Sequence, residues 1–173
     1  MNDGNRETDL ITGRPLPPSD DEPVRQAAEA LLLQLGYQRR EIAVDAARGL
    51  GPDYDGLTVL ADLLVSRGGR AAMVLRCARG SLVTREKEVV ACARLIAPVW
   101  APLAVAINGK DAELLETASG EVLATGLAAV PAPGQLDRLL AQRPPQSPTP
   151  RQKAQAARVY AAYSQFHCEA YCR

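Results

Sequence analysis

Apolar positions in the middle of the chain form two aliphatic runs that predict a β-hairpin. The runs are Leu57–Val65 and Ala71–Cys77, and the turn between them contains a Gly68-Gly69 pair that supplies the positive φ of a tight hairpin turn. The first run carries one acid in its interior, Asp62. The second run ends on a polar and small sequence, Arg76-Cys77-Ala78.

Helical spacing of apolar residues, at i, i+3, i+4 and i+7, predicts helices on either side of this hairpin. We expect helices over Glu22–Leu35, Leu82–Leu95, Gly134–Gln142 and Arg151–Phe166. In the second helix the pattern places Glu88 in an exposed early part. Further strands are predicted over Ile42–Val44, Ala101–Ile107, Ala112–Glu116 and Glu121–Thr125, with a loop over Ala46–Asp55.

This order of elements predicts an α/β fold with a mixed sheet flanked by helices and an additional C-terminal helix. The second helix would carry the chain from Cys77 to a parallel neighbour at Ala101–Ile107, because parallel strands need a crossover connection. We predict an extended N-terminal arm over 1–19, a domain over 20–142, a proline-rich linker over 143–150, and a helix with a cysteine-containing tail over 151–173.

Composition narrows the class of partners. The 173 residues are 47% apolar but only 4% aromatic, so the core must be aliphatic, and the formal net charge is zero. Any DNA contact would therefore depend on a local basic patch. No run of about 18 apolar residues occurs, and the polar start lacks a secretory signal, so we expect a cytoplasmic protein without membrane contact. The four cysteines are then expected to be thiols or metal ligands.

An ordered set of short motifs carries a family resemblance. The set comprises Ile11-Thr12-Gly13, Glu22-Pro23-Val24-Arg25-Gln26, Leu32–Tyr37, Ile42-x-Val44, Ala61–Val65 and Asn108–Gly120. Together they resemble the N-terminal domain of the type I restriction enzyme R subunit, and most of all small stand-alone proteins with that domain. The resemblance implies a bacterial protein with a restriction-nuclease-like fold.

Active members of this family hold Mg²⁺ with an Asp and a Glu, and a Lys orients the attacking water. By position, Asp62 matches the first ligand, but Arg76 occupies the place of the Glu and Ala78 that of the Lys. A guanidinium cannot ligate Mg²⁺. Two interpretations of Asp62 remain open: a residual catalytic metal ligand, with Glu22 as a possible further acid, or an ion pair with Arg76 across the hairpin. A displaced cation, from Arg79, Arg85 or Lys87, could restore activity.

Arginines near the hairpin suggest nucleic-acid binding. Arg76, Arg79 and Arg85 could contact phosphate oxygens, and Arg25, Arg39, Arg40 and Arg48 could extend the patch. The alternative is a solvated surface interleaved with acids, in addition to the Asp62 pair.

The tail contains three potential metal ligands, His167, Cys168 and Cys172. They could hold Zn²⁺ with a fourth ligand from elsewhere in the chain or from a second chain. The alternative is free thiols or a local disulfide.

Three functions are compatible with these observations. The first is a non-catalytic member of the family that binds a nucleic acid, such as DNA, or a protein partner. The second is an active Mg²⁺-dependent endonuclease with relocated catalytic groups. The third is a structural protein that forms homo-oligomers through its C-terminal helix.

Overall fold

The computed structural model describes residues 8–168, with side chains through Ser164. Its centre is a six-stranded sheet in sequential order. The strands are β1 (Ile42–Gly49), β2 (Thr58–Arg67), β3 (Arg70–Cys77), β4 (Leu103–Ile107), β5 (Ala112–Glu116) and β6 (Val122–Thr125). Only β3 and β4 pair in parallel, and the other neighbours are antiparallel. The predicted mixed sheet is therefore confirmed.

Four α-helices are present in the described part of the chain: α1 (Glu22–Gln34), α2 (Glu86–Leu95), α3 (Pro133–Ala141) and α4 (Pro150–Cys168). The predicted crossover is confirmed, because α2 connects β3 to its parallel neighbour β4. One apolar cluster joins α1 and α3 to the sheet, and a second joins α2 and α4 to it. The wholly buried β4 contributes alternate side chains to both clusters, as a strand covered on two faces does.

The β2–β3 hairpin forms as predicted. Gly68 and Gly69 connect the strands with φ values of +55° and +75°, which residues with a side chain rarely adopt. A register shift between Val65 and Ser66 precedes the turn. The hairpin fixes which residues of β2 and β3 face each other, and thus the neighbours of Asp62.

Two predicted boundaries were wrong. The segment from Ala46 was expected to be a loop, but β1 continues through Gly49 because residues 46–49 pair with residues 58–61 of β2. Pairing with an adjacent strand outweighed the weak strand propensity of Ala and Gly. In addition, α2 begins at Glu86 and not at Leu82, after a turn in which Arg85 N donates to Leu82 O.

The C-terminal helix α4 packs within the same chain. Ala156, Ala157 and Tyr160 are buried in the cluster that contains α2. The Tyr160 hydroxyl accepts a hydrogen bond from Leu60 N at 2.9 Å and donates one to Leu60 O at 3.3 Å. It thus pairs backbone groups of β2 at the end where β2 extends beyond β3. In the described residues, no helix has the length and apolar character needed to cross a membrane.

Candidate functional site

Asp62 and Arg76 face each other across the hairpin. Leu63 pairs with Leu75, and Asp62 and Arg76 lie one residue beyond that pair on their strands. Arg76 Nη1 donates to Asp62 Oδ1 at 2.8 Å, and the second carboxylate oxygen, Oδ2, accepts a hydrogen bond from Cys77 N at 2.6 Å. The ion pair predicted as one interpretation of Asp62 is therefore confirmed.

Glu88 extends this pair into a chain of alternating charges. Arg76 Nη2 donates to Glu88 Oε1 at 3.0 Å, and Arg85 Nη1 donates to Glu88 Oε2 at 3.2 Å. The Glu88 side chain is 1% exposed and that of Arg76 is 13% exposed. The prediction that Glu88 is exposed was wrong, because its carboxylate turns inward to the guanidinium of Arg76. The four residues form what we call the Arg76 network: Asp62, Arg76, Glu88 and Arg85.

The charges in the Arg76 network depend on one another. Burial raises the pKa of Asp62, while the guanidinium of Arg76 and the Cys77 N–H offset part of that rise. Although burial opposes the charge of Arg76, the carboxylates of Asp62 and Glu88 hold its pKa above the ordinary value. Arg76 therefore stays protonated and compensates two carboxylates at once.

A second cluster surrounds Arg25 on α1. Arg25 is 6% exposed, and its Nη2 lies 2.7 Å from Glu22 Oε1 and 3.4 Å from Asp9 Oδ2. Its Nη1 contacts Asp45 Oδ2 at 2.8 Å, and Nε lies 3.9 Å from Glu29 Oε1. A single guanidinium thus serves four acids. The prediction that Arg25 could extend a phosphate-binding surface was wrong, since it is buried and already paired.

Asp45 and Asp62 bring the two clusters together. The β1–β2 ladder pairs Val44 with Leu63 and Ala46 with Ala61, and it omits Asp45, which has a φ of +51°. Such a φ is uncommon for residues other than glycine and concentrates at functional sites. A cavity of about 170 Å³ lies at this break, and its lining includes Asp21, Glu22, Arg25, Asp45 and Asp62.

The residues around this cavity do not fit a divalent cation. Arg76 and Cys77 N already engage both oxygens of Asp62, and Glu22 Oε1 accepts hydrogen bonds from Arg25 and from Gln26 Nε2 at 3.0 Å. Nowhere in the described residues do three Asp, Glu, His or Cys side chains converge as metal ligands. A hard cation needs several oxygen ligands and would meet two guanidinium groups here.

The other predicted residues lie around the rim or in the core. Ala78, which the resemblance aligns with a Lys, is 6% exposed, and its N–H donates to Ile107 O on β4. Arg79 is exposed, and its Nη2 lies 2.7 Å from Asp20 Oδ2, while its backbone N–H donates to Asp21 Oδ1. Arg79 therefore attaches the start of α1 to the end of β3.

The predicted zinc ligands cannot be placed. His167 and Cys168 belong to the last turn of α4, but their side chains lie outside those described, and Cys172 lies outside the described residues altogether. The remaining cysteines, Cys77 and Cys92, are buried free thiols, as expected for small core residues.

Three features were not predicted from the sequence. They are the contact of Glu88 with Arg76, the contact of Asp45 with Arg25, and the position of Glu29 close to Asp9. A signal for Glu88 existed: it lies on the same helical stripe as Cys92 and Leu95, so an apolar face contained an acid close to Arg76. No comparable signal marks Asp45, because a break in strand pairing is set by tertiary structure.

Comparison with known proteins gives one family match. The family described as type I restriction enzyme R protein N terminus matches residues 20–131 of the 173, which contain α1, all six strands and α2. Searches of curated proteins and of solved structures gave no match. Since well over half of the chain is covered, the chain belongs to the type I restriction enzyme R protein N-terminus family.

Proposed function

We propose that this protein is a non-catalytic member of its family and acts as a binding module. The observation that carries the proposal is the position of Arg76, whose guanidinium bridges Asp62 and the buried Glu88. A buried cation paired with two carboxylates stays in place, because removing it would leave uncompensated charge in the protein interior. The site that the family uses for metal would then be occupied by the protein's own side chain.

Cleavage of plasmid DNA tests this proposal. Purified protein incubated with supercoiled plasmid and Mg²⁺ or Mn²⁺ is expected to leave the plasmid intact, at the same background as an Asp62→Ala variant. Cleavage by the wild-type protein that Asp62→Ala abolishes would support the alternative, an active endonuclease with relocated catalytic groups.

Nucleic acid is the first class of partner to test. Of the three predicted phosphate-binding residues, Arg79 has the most exposed side chain, at 59%, and its partners Asp20 and Asp21 are themselves on the surface. A surface pair exchanges partners at low cost, whereas Arg76 would have to abandon two buried contacts. Phosphate contact is therefore expected at Arg79 and, to a lesser extent, at the partly exposed Arg85.

A salt-dependent gel shift measures that contact. We expect Arg79→Ala to weaken binding of duplex DNA and to reduce its salt dependence, because one phosphate contact is lost. Arg70→Ala is the matched control, since Arg70 is exposed at the opposite end of β3. Equal effects of both substitutions would indicate nonspecific attraction. No shift with duplex or single strand at low salt would leave a protein partner.

The geometry favours intramolecular use of the C-terminal helix over the homo-oligomer. The apolar residues Ala156, Ala157 and Tyr160 already pack against α2 of the same chain. An oligomer formed through α4 would have to use its opposite face, where Arg151 and Arg158 are exposed. Light scattering is therefore expected to give the mass of one chain.

A further inference from the structure

The N-terminal arm folds back onto α1 as a compact turn. Asp9 Oδ1 accepts hydrogen bonds from Ile11 N at 3.0 Å and from Thr12 N at 2.6 Å, and an isolated bridge joins Thr8 to Pro15. Leu10 N donates a hydrogen bond to Gln26 Oε1 at 3.1 Å. Its carbonyl accepts a hydrogen bond from Arg39 Nε at 2.9 Å. The arm is therefore attached to the domain mainly by polar contacts of Asp9 and Leu10, together with Ile11, which packs against the apolar cluster of α1.

Glu29, on α1, lies beneath this turn and is fully buried, which is unusual for an acid. It is 0% exposed, and the groups of the turn that act on its carboxylate are the Asp9 side chain and the Ile11 N–H. The nearest cation, Arg25 Nε, is 3.9 Å from Glu29 Oε1 and is shared with Asp9, Glu22 and Asp45. A buried carboxylate that shares its only nearby cation with three other acids is costly when it is ionised.

The arm also forms part of the wall of the Asp62 cavity. Pro17 and Ser19, between the docked turn and α1, line the same cavity as Asp62 and Cys77. Directly after the arm, Asp20 and Asp21 are held by ion pairs with Arg79. Release of the turn at residues 8–15 would therefore widen the entrance to the Asp62 cavity while α1 stays in place.

We propose that residues 8–19 form a strap over the Asp62 cavity that is closed when Glu29 is protonated and loosened when Glu29 is ionised. The proposal is independent of whether Asp62 is catalytic, because it concerns access to the cavity alone.

The charges around Glu29 determine at which pH the strap is closed and at which pH it is loosened. Burial, followed by the nearby charge of Asp9, raises the pKa of Glu29 to about 7. Burial works against Asp9 too, but hydrogen bonds from Thr12 and Ile11 keep the pKa of Asp9 below its ordinary value. Asp9 is thus negative whenever the turn is docked. Ionised Glu29 would repel it, and neutral Glu29 carries a proton that the Asp9 carboxylate can accept.

Arg25 and the Ile11 N–H both lower the pKa of Glu29, but they offset only part of the rise caused by burial and by Asp9. On its own helix, Arg25 is compensated by Glu22, and from β1 Asp45 adds a further negative charge to Arg25. From β3, Cys77 contributes a buried thiol whose pKa is raised by burial, so it stays neutral. Only movement of Asp9, which belongs to the arm, can relieve the repulsion without displacing a core element.

Hydrogen–deuterium exchange of the full-length protein tests the strap. Peptides covering residues 8–19 are followed by mass spectrometry between pH 6 and pH 8 in wild type and in Glu29→Gln. Comparison at the same pH removes the intrinsic pH dependence of exchange, and peptides from α1 provide an internal reference. We expect protection of the arm in the wild type to fall at least tenfold relative to Glu29→Gln as pH rises, with a midpoint near pH 7.

Asp9→Asn provides a second test that retains the side-chain acceptor for Ile11 N and Thr12 N. Without the Asp9 charge, we expect the arm to lose part of its pH dependence although Glu29 is unchanged, because burial still raises the pKa of Glu29. Identical arm protection in wild type and Glu29→Gln at every pH would overturn the proposal. So would an Asp9→Asn variant that keeps the full pH dependence of the wild type.

Discussion

Replacing Arg76 by methionine is expected to destabilise the protein far more than the loss of an ordinary surface charge. Methionine keeps the unbranched apolar stem but removes the guanidinium that contacts Asp62 at 2.8 Å and Glu88 at 3.0 Å. Because Glu88 is 1% exposed, water cannot replace the lost contact without structural change. Breaking a buried ion pair from one side costs about 3–5 kcal/mol, because the remaining charge is left uncompensated.

Urea unfolding followed by circular dichroism measures this loss. In a thermal scan of a chain of this size, a loss of about 3 kcal/mol in the free energy of unfolding corresponds to a fall in Tm of roughly 6–12 °C. Arg79→Met is the matched control, since the Arg79 and Asp20 side chains are 59% and 61% exposed and a surface pair contributes at most about 1 kcal/mol.

The pH dependence of the variant distinguishes lost charge from lost packing. Burial raises the folded-state pKa of Asp62, and removal of Arg76 takes away the main effect that lowers it. The folded variant then binds a proton at Asp62 more tightly than the unfolded chain does, so its stability increases as pH falls. We expect the deficit relative to wild type to shrink as pH falls below 7. A deficit below about 1 kcal/mol at pH 7, equal to that of Arg79→Met, would refute the reasoning.

Two further changes test other parts of the structure. Glu29→Gln should flatten the pH dependence of the free energy of unfolding. The pKa of Glu29 is raised from 4.5 to about 7, so its favourable contribution is full below pH 4.5 and is lost as pH rises through 7. Urea titrations at several pH values should show a change of up to about 3 kcal/mol in the wild type. An equally steep profile in the variant would contradict this assignment. Tyr160→Phe should cost about 1–3 kcal/mol, because the Leu60 N–H loses its side-chain acceptor while the Leu60 C=O keeps only the Cys92 thiol as side-chain donor, whereas Tyr163→Phe on the same helix should be nearly neutral. Equal thermal shifts for the two tyrosine variants would show that the hydroxyl of Tyr160 is not what fastens α4 to β2.

The predictable part of the fold was set by local sequence and short-range pairing. The aliphatic runs and the Gly68-Gly69 turn specify the hairpin, and the hairpin register in turn specifies that Arg76 faces Asp62. Residues at matching positions on adjacent strands are neighbours regardless of the rest of the fold. For that reason the central ion pair could be predicted before the structure was known.

The parts that escaped prediction depend on which elements pack together. Glu88 becomes the second partner of Arg76 only because α2 crosses the sheet at that point, and Glu29 lies close to Asp9 only because the arm folds over α1. The segment from Ala46 was predicted to be a loop because Gly49, Gly51-Pro52 and Gly56 interrupt it, yet pairing with β2 extends β1 through Gly49. Such long-range contacts leave no periodic signal in the sequence.

Binding of Mn²⁺, measured by isothermal titration calorimetry, tests the central claim most directly. The wild-type protein, in which Arg76 pairs with Asp62 and Glu88, is expected to show no saturable binding that depends on Asp62. The double variant Arg76→Glu/Ala78→Lys, which introduces the residue types that the resemblance implies at these positions, is expected to bind Mn²⁺ in an Asp62-dependent manner. Saturable binding to wild type that Asp62→Ala abolishes would contradict the claim that a guanidinium has replaced the metal.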